Sequence, residues 1–225
     1  MKNLIIGKLI SKSAHSFPMS FRIEVSKSAF SSALLHIDEE KLIYDDTEML
    51  LSEVSAFAFA ATGNKLNGIN VRNDYYFRVK DSSGDEIEIN MLGNLLGNSN
   101  AEKLYEEIIA LFWKYFGNRL LTEMYHALLK GETNRLALHL LTPKGIVFTT
   151  KSMWGKVTEH VLAWHEVTCE SAGHLLFIKS INPGKASVTF NYKTDLNAHV
   201  LEEFIRQLQL DQNMVRAIYE RNNIS

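Results

Sequence analysis

Apolar and polar residues alternate with the two-residue period of β-strands over most of the chain, and twice the pattern lengthens to that of a helix. In the first half, Phe21, Ile23 and Val25 alternate as a short strand. Leu35 and Ile37, the polar link Asp38-Glu39-Glu40-Lys41 and the return Leu42-Ile43-Tyr44 predict a hairpin. Asp45-Asp46-Thr47 reads as a turn, residues 50–60 as one strand, and residues 63–68 as a loop. Strands at 75–80 and 86–91 flank the turn Asp81-Ser82-Ser83-Gly84, so that about five strands are expected in this half.

Residues 100–131 carry the helical period. Leu104, Ile108, Leu111 and Tyr115 form one stripe, and Phe112, Phe116, Leu120, Met124 and Leu128 form a second. One stripe is enough to pack a helix on a sheet, so two in succession predict that the first part closes the first half and the later part meets something else. Gly117-Asn118 lies where the stripes hand over. Gly inside a helix costs about 1 kcal/mol relative to Ala, which predicts a kink or break there.

The opening of this helix recurs 97 positions later: Asn100-Ala101, Leu104 and Ile108 are echoed by Asn197-Ala198, Leu201 and Ile205, and Glu106 by Glu203, while Phe204 stands at the place of Glu107. The second half replays the plan. Strands at 136–141 and 146–148 flank Thr142-Pro143-Lys144-Gly145, and a strand at 161–168 carries Trp164-His165-Glu166-Val167, which lies over Leu51-Ser52-Glu53-Val54. Strands at 175–180 and 187–192 flank Asn182-Pro183-Gly184; a helix at 197–210 follows, and Met214, Val215, Ile218 and Tyr219 suit a last short helix. The repeat implies two domains: an N-terminal extension at 1–30, a first domain at 31–116, a helical connector at 117–132 and a second domain at 133–225 with its tail.

Composition changes this picture little, with 46% hydrophobic and 22% charged residues in a chain of 225, as in an ordinary globular protein. Charge excludes more. Residues 1–99 hold 10 Lys and Arg against 13 Asp and Glu, residues 100–132 hold 4 against 5, and residues 133–225 hold 10 against 8. No segment has the basic footprint of a nucleic-acid binder, so no nucleic acid is expected as a partner. The single cysteine, Cys169, forms no internal disulfide. Gly7-Lys8 interrupts the apolar run Leu4-Ile5-Ile6, and the apolar window at 108–121 is too short to span a bilayer, so neither an export signal nor a membrane span is read and a cytoplasmic protein is expected. Lys2, Lys8 and Lys12 among apolar residues fit either a basic surface helix or an element tucked against the first domain.

A meander of short strands, a Glu-Val in the third strand, a glycine turn and a closing C-terminal helix resemble the pleckstrin-homology-like superfold. In the second half the resemblance lies in Thr142-Pro143-Lys144-Gly145-Ile146, Trp164-His165-Glu166-Val167 and Asn197-Ala198 before the helix, and it is nearest in layout to bacterial PH-like and GRAM-like domains. It covers about residues 31–116 and 133–210. It implies an α+β fold of two bent β-sheet or barrel domains, each closed by a C-terminal helix and joined by a long helical connector. It also implies a binding or scaffolding role rather than catalysis. The basic first loop of phosphoinositide-binding relatives is replaced here by Asp38-Glu39-Glu40-Lys41 in one copy and by a single Lys144 in the other.

Candidate chemistry is sparse. Lys151, Trp154 and Lys156 stand on the loop expected at 149–160; a Trp between two lysines suits a membrane interface or a stacked ligand, and the plain alternative is a Trp folded back over the domain. Anionic phospholipid is the corresponding partner. His165 and Cys169, read on one strand with Glu166, are too far apart for a nucleophile and base. Eight histidines at 15, 36, 126, 139, 160, 165, 174 and 199 show no ligand spacing, so no metal and no cofactor are expected. On the connector, Leu120, Leu121, Met124, Tyr125 and Leu128 exceed what a bare linker needs, and they predict an interface, either between the two domains or in a symmetric homodimer.

Overall fold

The computed structural model describes residues 20–28, 31–66, 69–93, 99–151, 153–182, 184 and 186–224. Within them the chain is α+β, with four small antiparallel sheets, none closed into a barrel, and three continuous helices, the first made of two α-helical segments joined by a π turn. In the first half, β1 (Phe21–Ser28), β2 (Ser31–Ile37), β3 (Lys41–Tyr44) and β4 (Thr47–Leu50) form one sheet in that order, and β5 (Val54–Leu66), β6 (Ile69–Asp81) and β7 (Glu86–Leu92) form another. In the second, β8 (Asn134–Leu136), β9 (His139–Thr142), β10 (Gly145–Lys151) and β11 (Val157–Ala163) are followed by β12 (Val167–Ala172), β13 (Leu175–Ser180) and β14 (Val188–Asn191). Each half therefore has seven described strands rather than about five, split four and three.

The miscount has a local cause. Residues 50–60 and 161–168 are each divided by a turn, at Leu51–Glu53 and at Trp164–Glu166, that carries neither Gly nor Pro. The two turns are built alike: Glu53 N–H donates to Leu50 O at 3.1 Å and Glu166 N–H to Ala163 O at 3.0 Å. Their own carbonyls accept from Ser82 N–H at 3.0 Å and Ile181 N–H at 2.8 Å. A side chain from the closing helix then reaches the next carbonyl in each copy, Arg119 Nη2 to Val54 O at 2.5 Å and Gln209 Nε2 to Val167 O at 3.3 Å. The loop expected at 63–68 is instead strand up to Leu66; residues 67–68 lie outside the description. β5 and β6 have 13 residues each against six each in β12 and β13, which is where the spacing between the copies changes.

Part of the stretch read as an N-terminal extension is an integral strand, since β1 pairs with β2 from Phe21 opposite Ile37 onward. Lys2, Lys8 and Lys12 fall outside the described residues. The connector does not break. α1 (Ser99–Phe112) runs through one π-helical turn, Trp113–Gly117, into α2 (Asn118–Leu129). An inserted π turn re-phases a helix, and this one separates the two apolar stripes. Gly117 is required there because a Cβ would come within 2.6 Å of Trp113 Cε3. Ile108, Leu111, Phe112 and Phe116 are buried, and the Phe57 ring meets those of Phe112, Trp113 and Phe116 edge-on at 5.2–6.2 Å. In the second half α3 (Ala198–Leu210) plugs the sheets with Val200, Leu201, Phe204, Ile205 and Leu208, and α4 (Gln212–Arg221) turns back along it.

The two halves share one continuous core. Leu120, Leu121 and Leu128 of α2 are buried and Met124 and Tyr125 partly so, against α3 and α4. Tyr125 faces Phe204 at 6.4 Å, and Asn222 Nδ2 donates to Leu128 O at 2.9 Å. The apolar side of the connector is thus covered by the chain's own second half, and its five residues are not an open seam for another subunit.

Candidate binding surface

β10 and β11 pair without a register shift from Gly145 opposite Ala163 to Lys151 opposite Val157. The hairpin is braced at its far end by Thr150 Oγ1 and His160 Nε2 at 2.8 Å and by the Phe148 and His160 rings, stacked at 5.3 Å. Beyond the last pair the chain reverses through Met153-Trp154-Gly155, with Gly155 at φ 78°, a conformation only glycine adopts without strain. Trp154 is 90% exposed and Met153 93%. The alternative in which Trp154 folds back over the domain is therefore wrong: a hairpin whose flanking residues 157–159 are themselves exposed stands away from the core and offers the ring nothing to cover. Lys151 and Lys156 stand exposed on either side of Trp154. The loop expected at 149–160 is strand at both ends, because β10 runs to Lys151 and β11 begins at Val157, and Met153, which the spacing did not single out, shares the tip with Trp154.

The apolar surface continues down the strands. Leu140, Val147 and Val161 are direct neighbours across β9, β10 and β11 on the outer face, opposite to buried Leu141, Ile146 and Leu162. The row gives the second half an exposed apolar sheet face that alternation alone would have assigned to solvent-facing polar residues.

A cleft of about 850 Å³ opens between the halves, lined by Ser55, Arg78, Lys80, Glu86, Arg135 and Asp195 among others. Its charges largely answer one another. Glu86 is held below the usual carboxylate range, chiefly by the Arg78 guanidinium, and also accepts from Lys80 Nζ at 3.1 Å. Asp195 Oδ2 accepts from Asn191 N–H at 2.8 Å within its own loop.

The histidine and cysteine do not share a strand as expected. His165 sits in the Trp164–Glu166 turn with Nδ1 at 3.1 Å from Tyr219 Oη, while Cys169 lies within β12. Burial pushes the Cys169 thiol up, away from the reactive thiolate. Trp164 is buried and donates from Nε1 to Thr142 O at 2.9 Å, and Glu166 accepts from Asn182 Nδ2 at 2.9 Å, so this segment serves the turn. Below β12, Glu202 receives Ser171 Oγ at 2.6 Å and Tyr192 Oη at 2.5 Å; burial disfavours its charge, but these bonds and Arg206 outweigh it and hold its carboxyl low. Among the described residues no group of three or more His, Cys, Asp or Glu could hold a metal ion. No helix among them is long and apolar enough to cross a membrane.

No protein-family model matches the chain, and no curated protein is similar to it in sequence.

Proposed function

We propose that this chain is a non-catalytic binding or scaffolding protein built on two pleckstrin-homology-like halves, with the tip of the β10–β11 hairpin as its contact surface. The observation that carries the reading is Trp154, 90% exposed on a braced hairpin between two lysines. A large aromatic ring left in water is costly, and rigid aromatic anchors are what binding surfaces present to partners. The repeated division into a four-stranded sheet, a three-stranded sheet and a closing helix supports the fold assignment. Such folds host many binding roles, so the role is argued from the tip alone.

The same tip favours an anionic membrane surface as one such partner, since Trp and Met enter the interfacial region while Lys151 and Lys156 remain at headgroup level. Co-sedimentation with phosphatidylserine-containing vesicles tests it. Binding that falls at least tenfold in Trp154→Ala and in Lys151→Glu is the expected result. Binding equal to that of neutral vesicles, or unchanged in both variants, removes the membrane reading.

A further inference from the structure

We propose that the cleft between the halves binds a small organic oxyanion, a carboxylate or phosphate monoester with an apolar body, on the wall formed by the end of α2 and the start of β8. Its volume of about 850 Å³ suits such a molecule, and domain interfaces are favoured places for small-molecule sites. The class of ligand follows from which polar groups of the cleft are already engaged.

Each carboxylate that lines the cleft has a partner within the chain. Glu86 is held between the Arg78 guanidinium and Lys80 Nζ, and Glu123 accepts from Arg119 Nη1 at 3.0 Å. Asp195 Oδ2 accepts from Asn191 N–H at 2.8 Å, and Glu132 lies 4.0 Å from Lys130 Nζ. What remains is a set of donors on one wall. Arg135, exposed on β8, has no side-chain partner among the described residues. Asn134 beside it has Nδ2 buried without an acceptor. Lys130 meets Glu132 only at the limit of an ion pair, and its side chain is 70% exposed. Donors without acceptors, two of them cationic, select an anion that can accept several hydrogen bonds. Arg is suited to the two oxygens of a carboxylate or phosphate, which it meets with parallel N–H bonds.

The wall does not oppose an anion through its backbone. The last carbonyls of α2, which would repel negative charge, are covered: Ala127 O accepts from Lys130 N–H at 3.1 Å and Glu132 N–H at 2.9 Å, and Leu128 O accepts from Asn222 Nδ2 at 2.9 Å. The terminal torsion of Asn is broad, so an acceptor in the cleft can draw the Asn134 amide out of its unpartnered place. Met124, Ala127, Ala137 and Leu196 line the same space and each keeps part of its surface exposed. An oxyanion alone would leave them uncovered, whereas an apolar body would not. This site goes beyond the reading of the hairpin tip and does not depend on it.

Titration calorimetry of the full chain with phenyl phosphate, phenylacetate and inorganic phosphate is the test. At least one of the two aromatic probes should bind with a Kd of about 1 mM or tighter, and the tighter of them identifies the headgroup. Inorganic phosphate should bind at least about fivefold more weakly, since it leaves the apolar wall bare. Arg135→Gln should weaken the aromatic probe about tenfold, the usual effect of losing a hydrogen bond to a charged group. Asn134→Leu should weaken it too while leaving thermal stability equal or higher, because it removes a buried donor that has no partner. Lys144→Gln, an exposed charge outside the cleft, should change nothing. No binding of either aromatic probe up to about 10 mM, or binding that Arg135→Gln leaves unchanged, overturns the proposal. Inorganic phosphate bound as tightly as phenyl phosphate also overturns it, as an adventitious ion only. Trp154→Ala should bind the aromatic probe like the parent chain, so failure at the cleft and failure at the tip are read separately.

Discussion

The edges of β5 and β11 meet the same physical problem and answer it in opposite ways. β5 is sealed by the other half of its own chain. Asn197 Oδ1 accepts from Phe57 N–H at 3.0 Å, Asn197 N–H donates to Phe57 O at 2.7 Å, and Asn197 Nδ2 donates to Ser55 O at 3.1 Å. One asparagine thus supplies the hydrogen bonds of a short extra strand, and His199 continues it with Nε2 at 2.7 Å from Phe59 O. β11 receives no comparable cover from the described residues and presents Val157, Glu159 and Val161 on its outer face. The lesson is that the seam between the halves is closed by backbone and side chain together, whereas the edge of β11 and the tip beside it face solvent.

The strongest way to break this contrast is Asn197→Ala. The residue has φ 64°, in the left-handed region that Asn tolerates better than Ala, and its side chain has no capping bond within α3 because both its polar atoms serve β5. Its loss leaves Phe57 N–H and Ser55 O without partners at about 1–3 kcal/mol each, and adds backbone strain. Chemical denaturation should show a loss of about 3 kcal/mol. A loss below about 1 kcal/mol would mean that water replaces Asn197 at little cost and that the seam is not sealed as described.

Proton linkage at His199 probes the same seam. Its ring lies between Phe59 and Tyr192, at 3.5 and 4.0 Å and nearly parallel to both, and burial pulls its pKa down to about 4. The free imidazole titrates near ~6.5. Between these values the unfolded chain takes up a proton that the folded chain refuses, so stability is highest above the unfolded value and declines as pH falls toward the folded one, by at most ~3 kcal/mol. Glu202 lies near enough to oppose the shift slightly, and His139, also lowered by burial, adds to the slope in the same direction. His199→Gln keeps a donor for Phe59 O and should flatten the profile between pH 6.5 and 5. Parallel profiles for the two proteins would show that His199 is not the linked group.

Gly117→Ala is a smaller test of how the first half holds β5 from its other side. Removing glycine from a helix favours the fold by about 1 kcal/mol, while the clash with the Trp113 ring costs about 1–3. Net destabilisation of about 1 kcal/mol in thermal unfolding is expected, and a stabilised variant would show that Trp113 can leave its place against Phe57 freely.

What the sequence made legible follows from where local chemistry decides structure. The two helix stripes are periodic and were readable, whereas the spacing gave a loop at 149–160 in place of the ends of β10 and β11 and left open whether Leu120, Leu121 and Leu128 meet the second half or another subunit. The turns at Leu51–Glu53 and Trp164–Glu166 were not, because backbone bonds to distant residues such as Ser82 and Ile181 fix them rather than glycine or proline. Asn197 was read as the echo of a helix start. Its bonds to β5 span 140 and 142 positions, and no pattern within either copy predicts them. Met153 escaped notice because a lone apolar residue in a loop carries no period.

Trp154→Ala should have the least effect on the isolated chain, and that small effect is what gives the comparison its edge. A side chain 90% exposed buries little surface on folding, so its removal should change stability by no more than about 0.5 kcal/mol. The same substitution is expected to abolish most of the binding at the tip. A residue that costs the fold almost nothing and costs binding a great deal separates the uncovered region from the sealed one. If denaturation of Trp154→Ala instead shows a loss above about 1.5 kcal/mol, the ring is packed in solution, and the tip cannot be the contact surface.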